Sequence, residues 1–256
     1  MRGTIKPVSL SRNLVIDFMR ASVPLVVVRR TMSLEPLAKT QALRESRRRW
    51  MSLLAKAFCI VARDEPWLRT FYMRWPWPHF NEMPKSVCMA VIVREDIDRD
   101  APLLLNLGHA EDRSLEELNG ALELGKTAPL EDVPSLRLAF RTARLPWPLR
   151  RVLWAVALNI GLLRPHVFGT FCISSAGSLG AELLVGRTPG PTLMTYGPLR
   201  SDHTMETFLH FDHRIYDGVL AARALHRIEE ILNTSLVEEL LASGVQPPDL
   251  RSGQCA

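Results

Sequence analysis

The stretch Phe208-Leu-His-Phe-Asp-His-Arg-Ile-Tyr-Asp-Gly218 decides how this chain is read. From Met205 to Phe211 the residues are apolar and rich in aromatics, the pattern of a buried strand. Asp217-Gly218 is a turn signal. Directly after it Val219, Ala222, Leu225, Ile228, Ile231 and Leu232 recur at helical steps. His213 and Asp217 therefore fall on a tight strand-to-helix connection, a rigid mount for a functional side chain. Histidine is the side chain most readily poised as a general base near neutral pH. A carboxylate four residues on can orient the ring or the loop through a hydrogen bond or an ion pair, and Gly218 is expected to let the backbone turn without a Cβ clash. Taken alone, H-x-x-x-D-G reads equally well as a surface His and Asp in an ordinary turn.

Composition bounds the alternatives. The chain has 256 residues and no Pro/Gly/Ser-rich linker, low-complexity tract or internal repeat, so one domain over residues 1–242 with a polar, fraying tail at 243–256 is expected. The net charge of +5 suits an anionic substrate, although a generic basic surface explains it as well. Arg44, Arg47, Arg48 and Arg49 read as a solvated face at a helix end; with no aromatic interleaving, nucleic acid is not expected as a partner. Cys59, Cys88, Cys172 and Cys255 form no C-x-x-C pair, and three lie in apolar runs, which points to reduced core thiols and no metal site. Arg12, Asp17 and Arg20 break up the apolar residues at the start, so no signal-peptide pattern is present and a cytoplasmic protein is expected.

Along the chain, Asn13 to Arg20 reads as a short helix and Pro24 to Met32 as a strand. A helix follows, capped by Ser33 with Pro36 in its first turn and reaching Arg48. Trp50, Leu53, Leu54, Ala57, Phe58 and Val61 make a helical core stripe. Trp75-Pro-Trp-Pro-His79 reads as extended or loop-like; its two tryptophans could line a ligand channel if exposed, but packing over a core edge is the favoured reading. Val87–Val93 and Leu103–Leu107 read as paired strands, and Ser114-Leu-Glu-Glu117 as a capping box opening a helix to Leu124. The segment from 145 to 163 combines two prolines, two arginines and an apolar run too short to span a bilayer, which needs roughly 20 residues. It reads as intramolecular or inter-subunit packing or as a cover over an apolar acyl chain, with membrane-surface contact less favoured. Thr192–Tyr196 is the next strand.

Asp212-His213-Arg214-Ile215-Tyr216-Asp217-Gly218 resembles the D-H-R-x-x-D-G signature of the catalytic domain of dihydrolipoyl acyltransferases, the core subunits of 2-oxoacid dehydrogenase complexes. Upstream and in family order, Phe168-Gly-Thr-Phe-Cys-Ile-Ser-Ser-Ala-Gly177 resembles the family's G-G-T-F-T-I-S-N-x-G segment. The resemblance implies an α/β (α+β) fold like that of chloramphenicol acetyltransferase, a mixed sheet flanked by helices, assembled as a trimer. It implies acyl transfer from a thioester donor (coenzyme A or carrier-bound) to a thiol, hydroxyl or amine acceptor, with no tightly bound cofactor. His213 would be the general base and Ser174 the oxyanion stabiliser. Asp217 would hold the turn through an ion pair with an arginine, for which Arg12 and Arg20 are candidates. Within such a trimer His213 would come from one subunit and Ser174 from the next.

The match has departures. Residues 134–166 replace a short link with an arginine-rich, apolar insertion, and the spacing from Ser174 to His213, 213 − 174 = 39 residues, is shorter than in the complex-forming enzymes. No lipoyl or subunit-binding domain is recognisable. Besides a stand-alone acyltransferase, a trimeric scaffold and a membrane-surface acyltransferase of lipid or polyketide metabolism remain alternatives.

Overall fold

A computed structural model describes residues 10, 14, 25–43, 50–94, 96–177 and 180–242. The helix expected over 13–20, the arginines at 44 and 47–49, Arg12, and the tail with Cys255 lie outside the described residues, Leu14 excepted. In chain order the elements are β1 (Leu25–Ser33), α1 (Glu35–Leu43), α2 (Trp50–Asp64), β2 (Thr70–Met73), β3 (His79–Glu82), β4 (Cys88–Arg94) and β5 (Asp98–Gly108). They continue with α3 (Leu115–Thr127), α4 (Pro134–Ala143), α5 (Trp147–Asn159), α6 (Arg164–Phe168), β6 (Phe171–Ser175), β7 (Thr192–Tyr196), β8 (Thr204–Asp212), α7 (Gly218–Asn233) and α8 (Ser235–Ala242).

Six strands form one mixed sheet in the order β1-β8-β7-β6-β4-β5, and β2 and β3 form a separate hairpin. The central pairs β4–β6 and β6–β7 are parallel, and the outer pairs are antiparallel. Parallel neighbours need long crossovers: the one from β4 to β6 contains helices, and the described part of the one from β6 to β7 is irregular. One face carries the main core. The stripe read on α2 is buried there, and Phe58 stacks on Phe171 of β6 with ring centroids 3.9 Å apart. Each such buried side chain contributes roughly 2–3 kcal/mol of hydrophobic stabilisation. α3 starts at the expected capping box: the Glu117 amide donates to the Ser114 hydroxyl (3.2 Å) while the Ser114 amide donates to the Glu117 carboxylate (2.8 Å).

The opposite face of the sheet is covered by the atypical segment. α4, α5 and α6 each have a proline in the first turn, where a missing N–H costs nothing. The segment's arginines partly turn inward. Arg150 is buried and donates to the Ala143 carbonyl at 3.3 Å. Arg164 is buried over the Phe71 ring and donates to the carbonyls of Tyr72 (3.0 Å) and Pro189 (2.8 Å). Desolvation brings its guanidinium down to about 10, against a weaker opposing pull from Asp212. These bonds tie the insertion to the β2–β3 hairpin and to the approach to β7.

Two expectations fail here. Trp75 and Trp77 do not pack over a core edge; they stand 64% and 66% exposed at the tip of the β2–β3 hairpin. The prolines beside them keep that tip from folding back. Gly218 is not needed to relieve a clash: an added Cβ would meet only Val28 Cγ2, at an ordinary 3.8 Å, and its φ is not in the left-handed region. The glycine with that task is Gly169, between α6 and β6. Its φ is +71°, and a Cβ there would sit 2.6 Å from Met89 Cγ and 2.8 Å from the Val87 carbonyl oxygen. Cys59, Cys88 and Cys172 are free and buried, as read from their apolar surroundings.

Candidate active site

β8 ends at Asp212, and the turn His213-Arg214-Ile215 passes the chain to α7. Almost every motif residue has a local task. The buried Asp212 carboxylate takes a two-pronged contact from Arg214, Nε at 2.8 Å and Nη2 at 2.6 Å, and also accepts the Arg214 amide at 3.1 Å. Arg214 in turn lies 4.5 Å over the Tyr72 ring, and its guanidinium is raised by the hydrogen bonds to Asp212. Ile215 packs against the core. Tyr216 is buried, stacked on Phe211 and tilted against Trp67, and its hydroxyl pairs with Thr192 at 3.0 Å. Burial pushes its phenol well above the ordinary range.

Asp217 caps α7. Its carboxylate accepts the amides of Val219 (3.0 Å) and Leu220 (3.1 Å), which are otherwise orphaned at a helix start. Among the described residues no arginine pairs with it, and the candidates Arg12 and Arg20 lie outside them. His213 is left exposed, its ring 5.8 Å from Phe211, on a turn held shut by the Asp212–Arg214 pair on one side and the Asp217 cap on the other.

Ser174 lies at the far end of the sheet. It is level with Thr195 of β7, which is level with Phe208 of β8, whereas His213 follows Asp212 at the other end of β8. Four residues of strand from Phe208 to Asp212 span about 13 Å, and two strand spacings add about 10 Å sideways. Within one chain the structure does not bring Ser174 and His213 together. Asp217 and His213 do share the same turn. The adjoining Ser175 is structural: its hydroxyl donates to the Tyr196 carbonyl (2.9 Å) and accepts the Gly177 amide (2.9 Å).

Ser174 is in the wall of a cavity of about 660 Å³ on the insertion-covered face of the sheet. Met89, Cys172 and Leu193 form its buried floor, and Trp154, Ala157 and Phe168 are among the residues enclosing it from α5 and α6. The cavity as a whole is not legible in the sequence, because its lining comes from segments scattered between residues 14 and 193. Its one local hint was the apolar run of α5. On the same face, buried His210 contacts Thr195 Oγ1 at 3.2 Å. That hydroxyl already donates to the Leu183 carbonyl at 2.9 Å, so the His210 Nε2–H is the donor. Desolvation brings its pKa down to about 4.

The fold recurs among solved structures. A probable dihydrolipoamide acetyltransferase from Listeria monocytogenes superposes with a TM-score of 0.61 at 16% identity, over 93% of this chain and 95% of that one. The dihydrolipoamide acetyltransferase of Azotobacter vinelandii does so at 0.63 and 16%, with the same coverage. Chloramphenicol acetyltransferase gives 0.54 at 12%, over 91% of this chain and 100% of that one. The fold is that of the chloramphenicol acetyltransferase-like acyltransferases. Both coverages are near complete, so the shared fold spans most of the chain. No protein-family profile matches the sequence, and no curated protein sequence does either.

Proposed function

We propose that this chain is an acyltransferase that moves an acyl group from a thioester, coenzyme A or carrier-bound, to a thiol, hydroxyl or amine acceptor. The reading rests on one observation above the others. The neighbours of His213 in its turn are occupied with holding that turn, while the imidazole stands exposed on it. In the Azotobacter enzyme a serine, a histidine and an asparagine four positions after it have been investigated for their role in catalysis. This chain has Ser174, His213 and, at the same four-residue spacing, Asp217.

In the proposed reaction His213 takes the proton of the acceptor as its heteroatom attacks the thioester carbonyl. The carbonyl oxygen becomes an oxyanion that accepts a hydrogen bond from the Ser174 hydroxyl. The tetrahedral species then collapses, the carbon–sulfur bond breaks, and the leaving thiolate recovers the proton from His213. No acyl-enzyme forms. Asp217 acts through the turn, by capping α7 beneath His213. Because Ser174 and His213 sit at opposite ends of the sheet, the site is completed between subunits of a homotrimer, with His213 from one and Ser174 from the next.

The test is release of free coenzyme A thiol from acetyl- and longer acyl-CoA donors, with and without dihydrolipoamide. Acceptor-dependent release that falls at least about 100-fold in His213→Ala is expected. A folded trimer that releases no thiol with any donor and acceptor would overturn the reading in favour of a scaffold.

A further inference from the structure

We infer that the cavity behind Ser174 holds the hydrocarbon chain of a medium- or long-chain acyl thioester, with the thioester carbonyl at Ser174; this deepens, and rests on, the acyl-transfer reading. Ser174 and Cys172 alternate on one face of β6, so the same strand supplies the proposed oxyanion donor and the cavity floor. The volume of about 660 Å³ lies within the range of small-molecule sites and exceeds the needs of a two-carbon acyl group.

The lining chooses the ligand class. The floor residues Met89, Cys172 and Leu193 are buried and apolar. Cys172 is no nucleophile there, since burial pushes its thiol up to about 11. The polar groups of the wall besides Ser174 are two hydroxyls, Ser135 and Thr142, and two exposed side chains, His166 and Arg187. A polar ligand would leave its groups unpaired against this floor, whereas a hydrocarbon chain loses nothing. The rim is apolar yet open to water, with Val185 76% and Leu138 54% exposed. The enclosing helices α4, α5 and α6 all come from one continuous stretch, residues 134–168. A chain in the cavity would cover floor and rim together. Residues 1–24, of which Leu14 reaches the wall, and a second copy of the chain are the competing occupants.

The experiment uses acetyl-, butanoyl-, octanoyl- and dodecanoyl-CoA with two independent readouts. The first is calorimetric affinity measured on His213→Ala, which binds without turning over. The second is kcat/KM of the wild-type protein. Each added methylene that enters the cavity should tighten binding and raise kcat/KM about fourfold, until the cavity is full. Ala157→Trp from α5, and separately Ala139→Phe from α4, should cut the advantage of dodecanoyl- over acetyl-CoA at least tenfold. Two walls are used so that a folding defect in one variant does not decide the matter. Affinity graded with chain length but no turnover keeps the chain-binding cavity and refutes the transfer reading. Turnover with affinity and kcat/KM flat across the ladder keeps transfer and overturns the cavity, as expected if residues 1–24 or a second copy fill it.

Discussion

Two inactive proteins should make an active one. Ser174→Ala removes the proposed oxyanion donor, and loss of such a donor costs about 10²–10³ in kcat. His213→Ala removes the proposed base. The strand register puts Ser174 about 13 Å along β8 from Asp212, the residue before His213, and about 10 Å across two strand spacings, so neither variant can repair itself within one chain. If each site takes its serine from one subunit and its histidine from the next, mixing matters. Equal amounts are unfolded together, refolded and allowed to assemble at random. A site is intact when a His213→Ala subunit supplies the serine and a Ser174→Ala subunit supplies the histidine, so about a quarter of the sites recover. The assay is thiol release at saturating donor and acceptor. The expected activity is about a quarter of the wild-type rate, far above either parent. Mixed activity equal to the mean of the parents, from trimers shown to contain both variants, would refute the shared site.

Two further outcomes follow from local geometry. His210 has its folded pKa brought down to about 4 by burial, below the unfolded value of about 6.5, so the unfolded chain binds more protons between those values. The stabilisation is complete above about pH 6.5 and is lost as pH falls toward 4, by about 3 kcal/mol; urea denaturation at pH 7 and pH 4 should show this loss, and His210→Gln should abolish most of it. Gly169→Ala should destabilise by at least about 2 kcal/mol, since it combines a left-handed φ with a 2.6 Å approach to Met89 Cγ, whereas Gly218→Ala should stay within about 0.5 kcal/mol of wild type.

The D-H-R-I-Y-D-G turn was legible because its determinants are local. A strand pattern, a turn signal and a helical stripe follow one another within some 25 residues, and β8, the turn and α7 appear where they were read, with Asp217 serving as the helix cap. The capping box of α3 and the core stripe of α2 were legible for the same reason. Other features depend on what lies across the fold. The apolar run of α5 could be read as packing, as a cover or as a membrane face; α5 encloses the cavity while Trp147, Leu149 and Val152 on it stay exposed, a division no linear pattern announces. Arg150 and Arg164 are buried, donating to carbonyls that no sequence pattern announces. Residues 235–242 received no assignment, although Leu236 fixes them to the core as α8. Trp75 and Trp77 were misjudged because aromatic residues are usually worth burying, and the prolines that hold them out override that preference.

The place of β1 has a consequence for how the protein is made. Its partner β8 lies between 204 − 33 = 171 and 212 − 25 = 187 residues further along the chain. At about 5–20 residues per second, a ribosome delivers that partner roughly ten to forty seconds after β1 has been synthesised. Until then Val26, Val27 and Val28 have no ladder to join, and β7 lacks the neighbour that closes its outer side. The sheet is thus completed last at its first strand. A nascent chain stalled before Thr204 carries two sticky edges in place of one finished sheet, and is the form most in need of a chaperone.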